Sequence, residues 1–397
     1  MSPGTPLADE AARLSIRNDT GATLFVEAGA GSGKTSVLVS RAQTLALEDG
    51  IPIANIAAVT FTERAASELR DRLRARLEQA ALHTTRAQQR ERALAALDDL
   101  DTAAIGTLHS FAQRILSEHP IEAGIPPLIE VLDEVGSSVA FEGRWSQLRN
   151  ELLDDPSMSA TINTALGVGI SLDHVRSLIT KLNADWDLVD EHVVAPGRPP
   201  EPTLPDLSPL VAQARRLVAM AGRCTAENDL FVEKLERLSG WADRLESVGG
   251  DGIAQLAELR AAHDLRWSYG NAHSWGGRLA ELKDECRQWQ QSAGRLVSQV
   301  VESTLRSIVH WCGVRVLESA QARRGAGRLE FHDLLVIARD LLRKDPEVRA
   351  HLQRRYQRLL LDEFQDTDPI QIEIAVRIAG GGAATQAHWE DVQVPPG

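Results

Sequence analysis

Basic residues are in short supply in this chain: 43 lysines and arginines stand against 56 aspartates and glutamates, a formal charge of -13. That balance argues against adhesion of the whole surface to nucleic acid and leaves a local basic path as the way such a partner would be held. Cysteine is scarcer still. Cys224, Cys286 and Cys312 lie far apart, without C-x-x-C spacing or a histidine cluster nearby, so neither a zinc site nor a disulfide framework is suggested and all three read as reduced thiols. No run of about 18 apolar residues occurs, and the amino terminus MSPGTPLADEAARL lacks both the basic start and the apolar core of a secretory signal. A cytoplasmic location without membrane contact is the expectation. What the chain does have is length and apolar content: 397 residues, 43% hydrophobic, enough for two or three domains with cores of their own.

The first 120 or so residues alternate short apolar runs with helical patterns, the sequence form of an α/β fold in which helices wind a parallel sheet. "TLFVEA" (Thr23 to Ala28) reads as a buried strand, followed by a glycine loop and a helix from about Gly33 to Leu47. "IAAVTF" (Ile56 to Phe61) is a second strand, and Leu69, Leu73 and Leu77 mark the buried face of the next helix. "AAIGTL" from Ala103 is a third apolar run, leading into the helix "SFAQRIL". Between about Gly124 and Gly327 helical patterns dominate, with Trp145, Leu148 and Leu152 on one face and Leu172, Val175, Ile179 and Leu182 on another. Six prolines between Pro196 and Pro209 make that stretch a surface connector. "LEFHDLLVIARDLLRK" is an amphipathic helix, "RLLLDEF" a strand of the resumed sheet, and Asp391 to Val394 a short strand near the end. The expected division is therefore 1–123 and 328–397 for one α/β domain and 124–327 for a helical insertion.

"AGAGSGKT" (Ala28, Gly29, Ala30, Gly31, Ser32, Gly33, Lys34, Thr35) lies between a predicted strand and a helix, the context a phosphate-binding loop requires. Its glycines let the backbone curl so that N–H groups face a polyphosphate, and the helix amino terminus adds positive potential. Lys34 would pair with the β and γ phosphates of ATP, and the Thr35 hydroxyl would coordinate Mg²⁺. A glycine-rich turn with a chance Gly-Lys-Thr is the bland alternative. At the end of the strand Leu359 to Leu361, Asp362 would hold Mg²⁺ and Glu363 would orient and deprotonate an attacking water. Two acids after leucines are by themselves more often a strand ending in solvent; paired with the Lys34 loop they suit ATP hydrolysis, which needs both a phosphate cradle and a metal-bound carboxylate. The arginines of "RDRLRARL" spread over more than one helical face and read as solvated edges and i, i+4 pairs. "LDDLD" (Leu97 to Asp101) reads as a helix terminus, and the eight tryptophans as mostly core.

In order and wording, "AGAGSGKT", "TFTERAASELRDRL", "GTLHSFAQRIL" and "DEFQDTDPIQ" resemble motifs I, Ia, Ib and II of the UvrD/Rep superfamily 1 DNA helicases, with "VEAGAGSGKT" and "DEFQDTDP" nearest the RecB/AddA branch of helicase-nuclease motors. The resemblance covers nearly the whole chain and implies a P-loop, RecA-like sheet with helices on both faces. It also implies ATP and Mg²⁺ as cofactors, single-stranded or duplex DNA as partner, a possible nuclease or recombination partner subunit, and 3′ to 5′ translocation in repair and recombination. Carried over residue by residue, Thr60, Phe61 and Thr62, and His109 and Ser110, match the segments that touch single-stranded DNA, where hydroxyls bond phosphates and an aromatic ring stacks on a base. Gln365 matches the residue that senses nucleotide and couples it to DNA. Where family members often carry a glutamine that reads adenine, this chain has Glu10, which can accept from the adenine amino group but cannot donate to N7.

The strand bearing "GDPKQS" and the second lobe that follow motif II in the family have no counterpart in these 397 residues. The resemblance thus implies a fragment that binds ATP weakly and barely turns it over, since losing second-lobe arginines lowers phosphoryl transfer by about 10³ to 10⁵. A nucleotide-dependent DNA-binding module without turnover, and a P-loop ATPase acting on protein partners, remain the alternatives.

Overall fold

A computed structural model describes residues 9–29, 31–226, 228–363, 368–381, 385–386 and 388–395. They fall into two compact units, one comprising 1–134 with 322–397 and the other 135–321. In the first, α1 (Glu10–Asn18), α2 (Lys34–Leu47), β1 (Ile56–Thr60), α3 (Glu63–His83), α4 (Ala87–Asp99), β2 (Ala104–Thr107), α5 (Leu108–Glu118) and β3 (Glu130–Val131) follow in order. The chain next passes through α6 (Glu134–Asp154), α7 (Ser159–Gly167), α8 (Leu172–Ala184), α9 (Trp186–Val189), α10 (Ser208–Ala219), α11 (Leu230–Ser247), α12 (Gly252–Ala261) and the 48-residue α13 (Leu279–Ala326). It closes with β4 (Arg328–Leu329), α14 (Phe331–Lys344), α15 (Pro346–Arg355), β5 (Arg358–Leu361) and α16 (Pro369–Ala379).

The chain is α/β with a parallel sheet. Its three strands run in the order β2, β1, β5, and β3 pairs with β4 in a separate two-stranded ladder, also parallel. Parallel neighbours need helical crossovers, and the helices cover the sheet. On one face Ile56 and Ala58 of β1 and Leu360 of β5 share a core with Val39, Ala42 and Leu45 of α2, Leu69, Leu73 and Leu77 of α3, and Ala93 and Ala96 of α4. Side chains alternate along a strand, so Ala57 and Val59 point to the other face, and they are buried as well. Three leucines at four-residue spacing, none more than 1% exposed, account for why α3 lies where it does; burying each is worth about 1.5–3 kcal/mol.

Three expectations need correction. Thr23 to Ala28 is not a strand: the segment lies outside the sheet, with Phe25 82% exposed. β propensity records fit to a pleated, half-buried surface, so an apolar run without a ladder neighbour stays irregular. Asp391 to Val394 is likewise no strand, Asp391 ending a short 3-10 turn. Among the arginines of α3, Arg72 pairs with Glu68 one turn away and Arg74 with Asp101, as surface pairs should. Arg70 and Arg76 instead tie the helix down, Arg70 donating to the Ile105 carbonyl (2.6 Å) and Arg76 to the hydroxyls of Ser36 and Ser40.

A buried charge network links α14 to α16. Arg343 donates twice to Glu373 (2.6 Å each) and Arg377 adds a third bond (2.6 Å), with Glu373 and Arg377 each 2% exposed. Burial alone would raise the Glu373 carboxyl, but the bonds from Arg343 and Arg377 outweigh it and hold it below its usual value. A depressed folded pKa adds stability that is present above the unfolded carboxylate value of about 4.3 and lost as pH falls through the folded one. Thermal melts between neutral and acid pH should therefore show a decline below that point. Glu373→Gln should be less stable at pH 7 and should flatten the decline; an unchanged acid limb would contradict the account.

The described residues of the second unit are helical. Trp241 and Trp289 are fully buried and meet edge to face, 4.8 Å between centroids, their N–H groups donating to the carbonyls of Glu258 (2.7 Å) and Leu210 (3.1 Å). Trp145, Leu148 and Leu152 pack with Ile179 and Trp311 in a second cluster. The residues from 198 to 207 are irregular, and Pro209 enters the first turn of α10, where its missing N–H costs nothing. Burial pushes the thiols of Cys286 and Cys312 up to about 12, which makes both inert as nucleophiles at neutral pH. No helix among the described residues is long and apolar enough to cross a membrane.

Candidate functional site

The strand register gathers residues that are far apart in sequence. Val59 pairs with Leu361 and Thr60 with Thr107, so the chain leaves all three parallel strands at one carboxyl edge. Thr60, Phe61 and Thr62 follow β1, His109 and Ser110 open α5 just after β2, and Asp362 and Glu363 follow β5. Ligands of open parallel sheets bind at this edge, because the loops there are free of the ladder while their anchors are not.

Each segment is held by local bonds. Thr60 is buried and its hydroxyl donates to the Thr62 carbonyl (3.0 Å); Thr62 caps α3 by accepting from the Ala65 N–H (3.1 Å), and Phe61 between them is 57% exposed. An exposed ring bracketed by two fixed threonines cannot be ascribed to core packing. Thr107 caps α5 at the Ser110 N–H (3.2 Å) and donates to Glu63 (2.8 Å), tying the start of α5 to the start of α3. Ser110 in turn donates to the Thr107 carbonyl (2.8 Å). A side-chain carbon at Gly106 would stand 2.3 Å from the Ser110 hydroxyl. Gly106→Ala is therefore expected to drive that hydroxyl off its acceptor at a cost of about 1 kcal/mol, read as a shift in denaturant midpoint. An unchanged midpoint would mean that Ser110 is not held there.

His109 is half-buried, its ring meeting Phe331 edge to face at 5.5 Å. Burial, and secondarily His332, push its imidazole below the ordinary value, so it is neutral at pH 7 and offers a polar donor and acceptor without charge. Phe331, the first residue of α14, is 48% exposed. Sequence reasoning counted it only as part of an amphipathic helix; beside His109 it is a second accessible ring on the same unit.

Beyond β5, the Asp362 N–H donates to the Val59 carbonyl (2.9 Å), extending the ladder by one residue, and the Asp362 carboxylate accepts from the Glu363 N–H (3.1 Å). Glu363 has φ +57°, a left-handed conformation that costs a non-glycine residue energy and clusters at functional sites. Gln365 lies outside the described residues, as does Ala30.

The glycine loop stands at the amino terminus of α2. Gly31 (φ +75°) and Gly33 (φ +86°) are both left-handed, which only glycine adopts freely, and Gly33 is the helix cap. Lys34 and Thr35 begin the helix half-buried, and neither side chain has a hydrogen bond or ion pair among the described residues. The Ser32 hydroxyl is buried without a partner among them. An unneutralised ammonium, an orphaned hydroxyl and free helix N–H groups fit a bound polyphosphate with its metal ion. The loop is not carried on a strand, however, since Thr23 to Ala28 lies outside the sheet.

Glu10 opens α1 as an exposed residue. The α1 side chain that reaches the loop is Arg13, which donates to the Ser32 carbonyl and pairs with Asp9 (2.8 Å). α1 is kept beside α2 by Arg41, which donates to the carbonyls of Ile16 (2.6 Å), Asp19 (2.9 Å) and Ala22 (2.9 Å). No spacing in the sequence marked Arg13, because its acceptor is a backbone carbonyl.

Comparison with known proteins agrees with this arrangement. The UvrD/REP helicase N-terminal domain matches residues 9–386. The large helicase/nuclease relatives found are all of one description: an ATP-dependent helicase/nuclease subunit from Pediococcus pentosaceus is 24% identical over 410 residues, covering 91% of this chain and 33% of that protein. Its counterparts from Streptococcus pyogenes serotype M1 and Lactobacillus delbrueckii subsp. bulgaricus are also 24% identical, over 404 and 413 residues, with 91% of this chain covered in each case. The chain spans about a third of the length of these relatives. By the match over residues 9–386, the chain belongs to the UvrD/REP helicase family and carries its N-terminal domain.

Proposed function

We propose that this chain is the first, RecA-like motor lobe of an ATP-dependent 3′ to 5′ DNA translocase of the RecB/AddA type, acting in repair and recombination, with residues 124–327 as an insertion between motifs Ib and II. The observation that carries the reading is the shared carboxyl edge, where the segments of motifs Ia, Ib and II meet. Lys34 and the N–H groups at the start of α2 bind the triphosphate; Thr35 and Asp362 would hold Mg²⁺, which when bound neutralises charge on the phosphate oxygens. Glu363 orients the attacking water and accepts its proton. Gln365 couples nucleotide to DNA. Thr60 and Thr62, with His109 and Ser110, bond the DNA backbone, while Phe61 and Phe331 stack on bases. The relatives are described as subunits, which supports a partner subunit for this chain. By itself the chain binds nucleotide weakly and turns it over slowly, because hydrolysis at speed draws on arginines of a second lobe.

Stacking on an aromatic ring is worth about 1–3 kcal/mol per base. Phe61→Ala and Phe331→Ala should each weaken binding of a labelled oligo-dT by roughly tenfold or more, read by fluorescence anisotropy, with the melting temperature preserved. Unchanged affinity in both variants would remove DNA from this edge.

A further inference from the structure

We propose that Arg13 is a positioning residue of the phosphate loop, holding the Ser32 carbonyl outward so that the Gly33 N–H faces the phosphate. This deepens the nucleotide-site reading above and rests on it. The carbonyl of Ser32 and the N–H of Gly33 belong to one peptide plane, and in a trans peptide they point in opposite directions. Fixing the carbonyl therefore fixes the N–H. Arg13 donates to that carbonyl, and its other terminal nitrogen stands 3.3 Å from where a side-chain carbon on Gly33 would sit, so the guanidinium lies along the outer side of the loop. Gly33 caps α2, so its N–H is outside the helical ladder and available to a ligand. Asp9 one turn back holds the other end of the arrangement, and Arg41 anchors the end of the helix that presents both residues.

A role through the loop backbone differs from two others that an arginine here could have. Contact with the base would discriminate among nucleotides, whereas a loop-positioning role affects every ligand that carries the phosphates. Simple attraction of phosphate to positive charge would grow stronger if Asp9 were neutralised, whereas positioning grows weaker, because Asp9 orients the fork.

The test uses the full chain and displacement of a fluorescent ATP analogue by ATP, GTP and inorganic tripolyphosphate. Arg13→Ala should weaken all three by a common factor of about tenfold, the loss of one charge-assisted hydrogen bond. Arg13→Lys, which keeps a donor but not the fork, should recover part of the loss, and Asp9→Ala should weaken all three severalfold. Melting without ligand should be unchanged in each variant; if Arg13→Ala fails to fold, Arg13→Lys and Asp9→Ala carry the test. Unaltered affinities, a loss confined to ATP, or tighter binding in Asp9→Ala would each overturn the proposal. Lys34→Ala is the control: if it binds like the parent chain, the phosphate site itself is wrong and Arg13 falls with it, whereas loss in Lys34→Ala beside parental affinity in Arg13→Ala rejects Arg13 alone.

Discussion

Lys34→Ala lowers the affinity of the chain for ATP and for inorganic tripolyphosphate by roughly 100-fold and leaves the melting temperature where it was. The two halves of that result follow from one arrangement. Lys34 is the first residue of α2, half-buried, with no ion pair among the described residues, so its charge has no structural work whose loss would unfold the helix. A bound polyphosphate, by contrast, would lose its one ammonium and face only backbone N–H groups and the helix dipole. Lys34→Arg should fail to restore binding, since a planar fork on a longer stem does not fill the place of a compact ammonium. Isothermal titration calorimetry checks the result, and parental affinity in Lys34→Ala would reject the phosphate site.

The largest loss of stability is expected at Asp333. Its carboxylate takes two bonds from Arg323 at 2.8 Å each and a third from the Glu330 N–H at 2.8 Å, joining the end of α13 to the start of α14. The side chains of the pair are 6% and 2% exposed. Removing one partner leaves a buried guanidinium without its counter-charge, a change that costs about 3–5 kcal/mol. For a unit of this size Asp333→Ala should lower the first melting transition by on the order of 10 °C. The charge itself is replaceable in principle: Arg323→Met with Asp333→Leu should regain much of the loss, because two apolar side chains carry no desolvation penalty, although the cap on Glu330 stays broken. A double variant as unstable as Asp333→Ala would show that the cap, and not the ion pair, holds this corner.

The strands at Ile56, Ala104 and Arg358 were legible in the sequence as short apolar runs between turns, and the faces of α3 and α8 as leucines, valine and isoleucine at helical spacing. Local periodicity reports burial, and these segments are buried. Thr23 to Ala28 misled because apolar composition alone does not supply a ladder neighbour. Arg70 and Arg76 misled for the opposite reason: their acceptors, the Ile105 carbonyl and the hydroxyls of Ser36 and Ser40, sit on other elements, which no spacing within α3 could announce. Phe331 was visible only as a helix residue until His109 was found against it.

By itself the sequence determined the chemistry available to this protein. Glycines, a lysine and a threonine stand at the head of one helix, an acidic pair stands after a strand, and two hydroxyl and aromatic segments lie between, because residue type and short-range order are local properties. Tertiary structure alone decided which of these meet. The parallel register of β1 with β2 and β5 brings Thr60, Thr107 and Asp362 to one edge, and the fold of α1 against α2 lays Arg13 along the glycine loop. Both depend on backbone groups, whose partners are set by the path of the chain through space and not by the letters beside them.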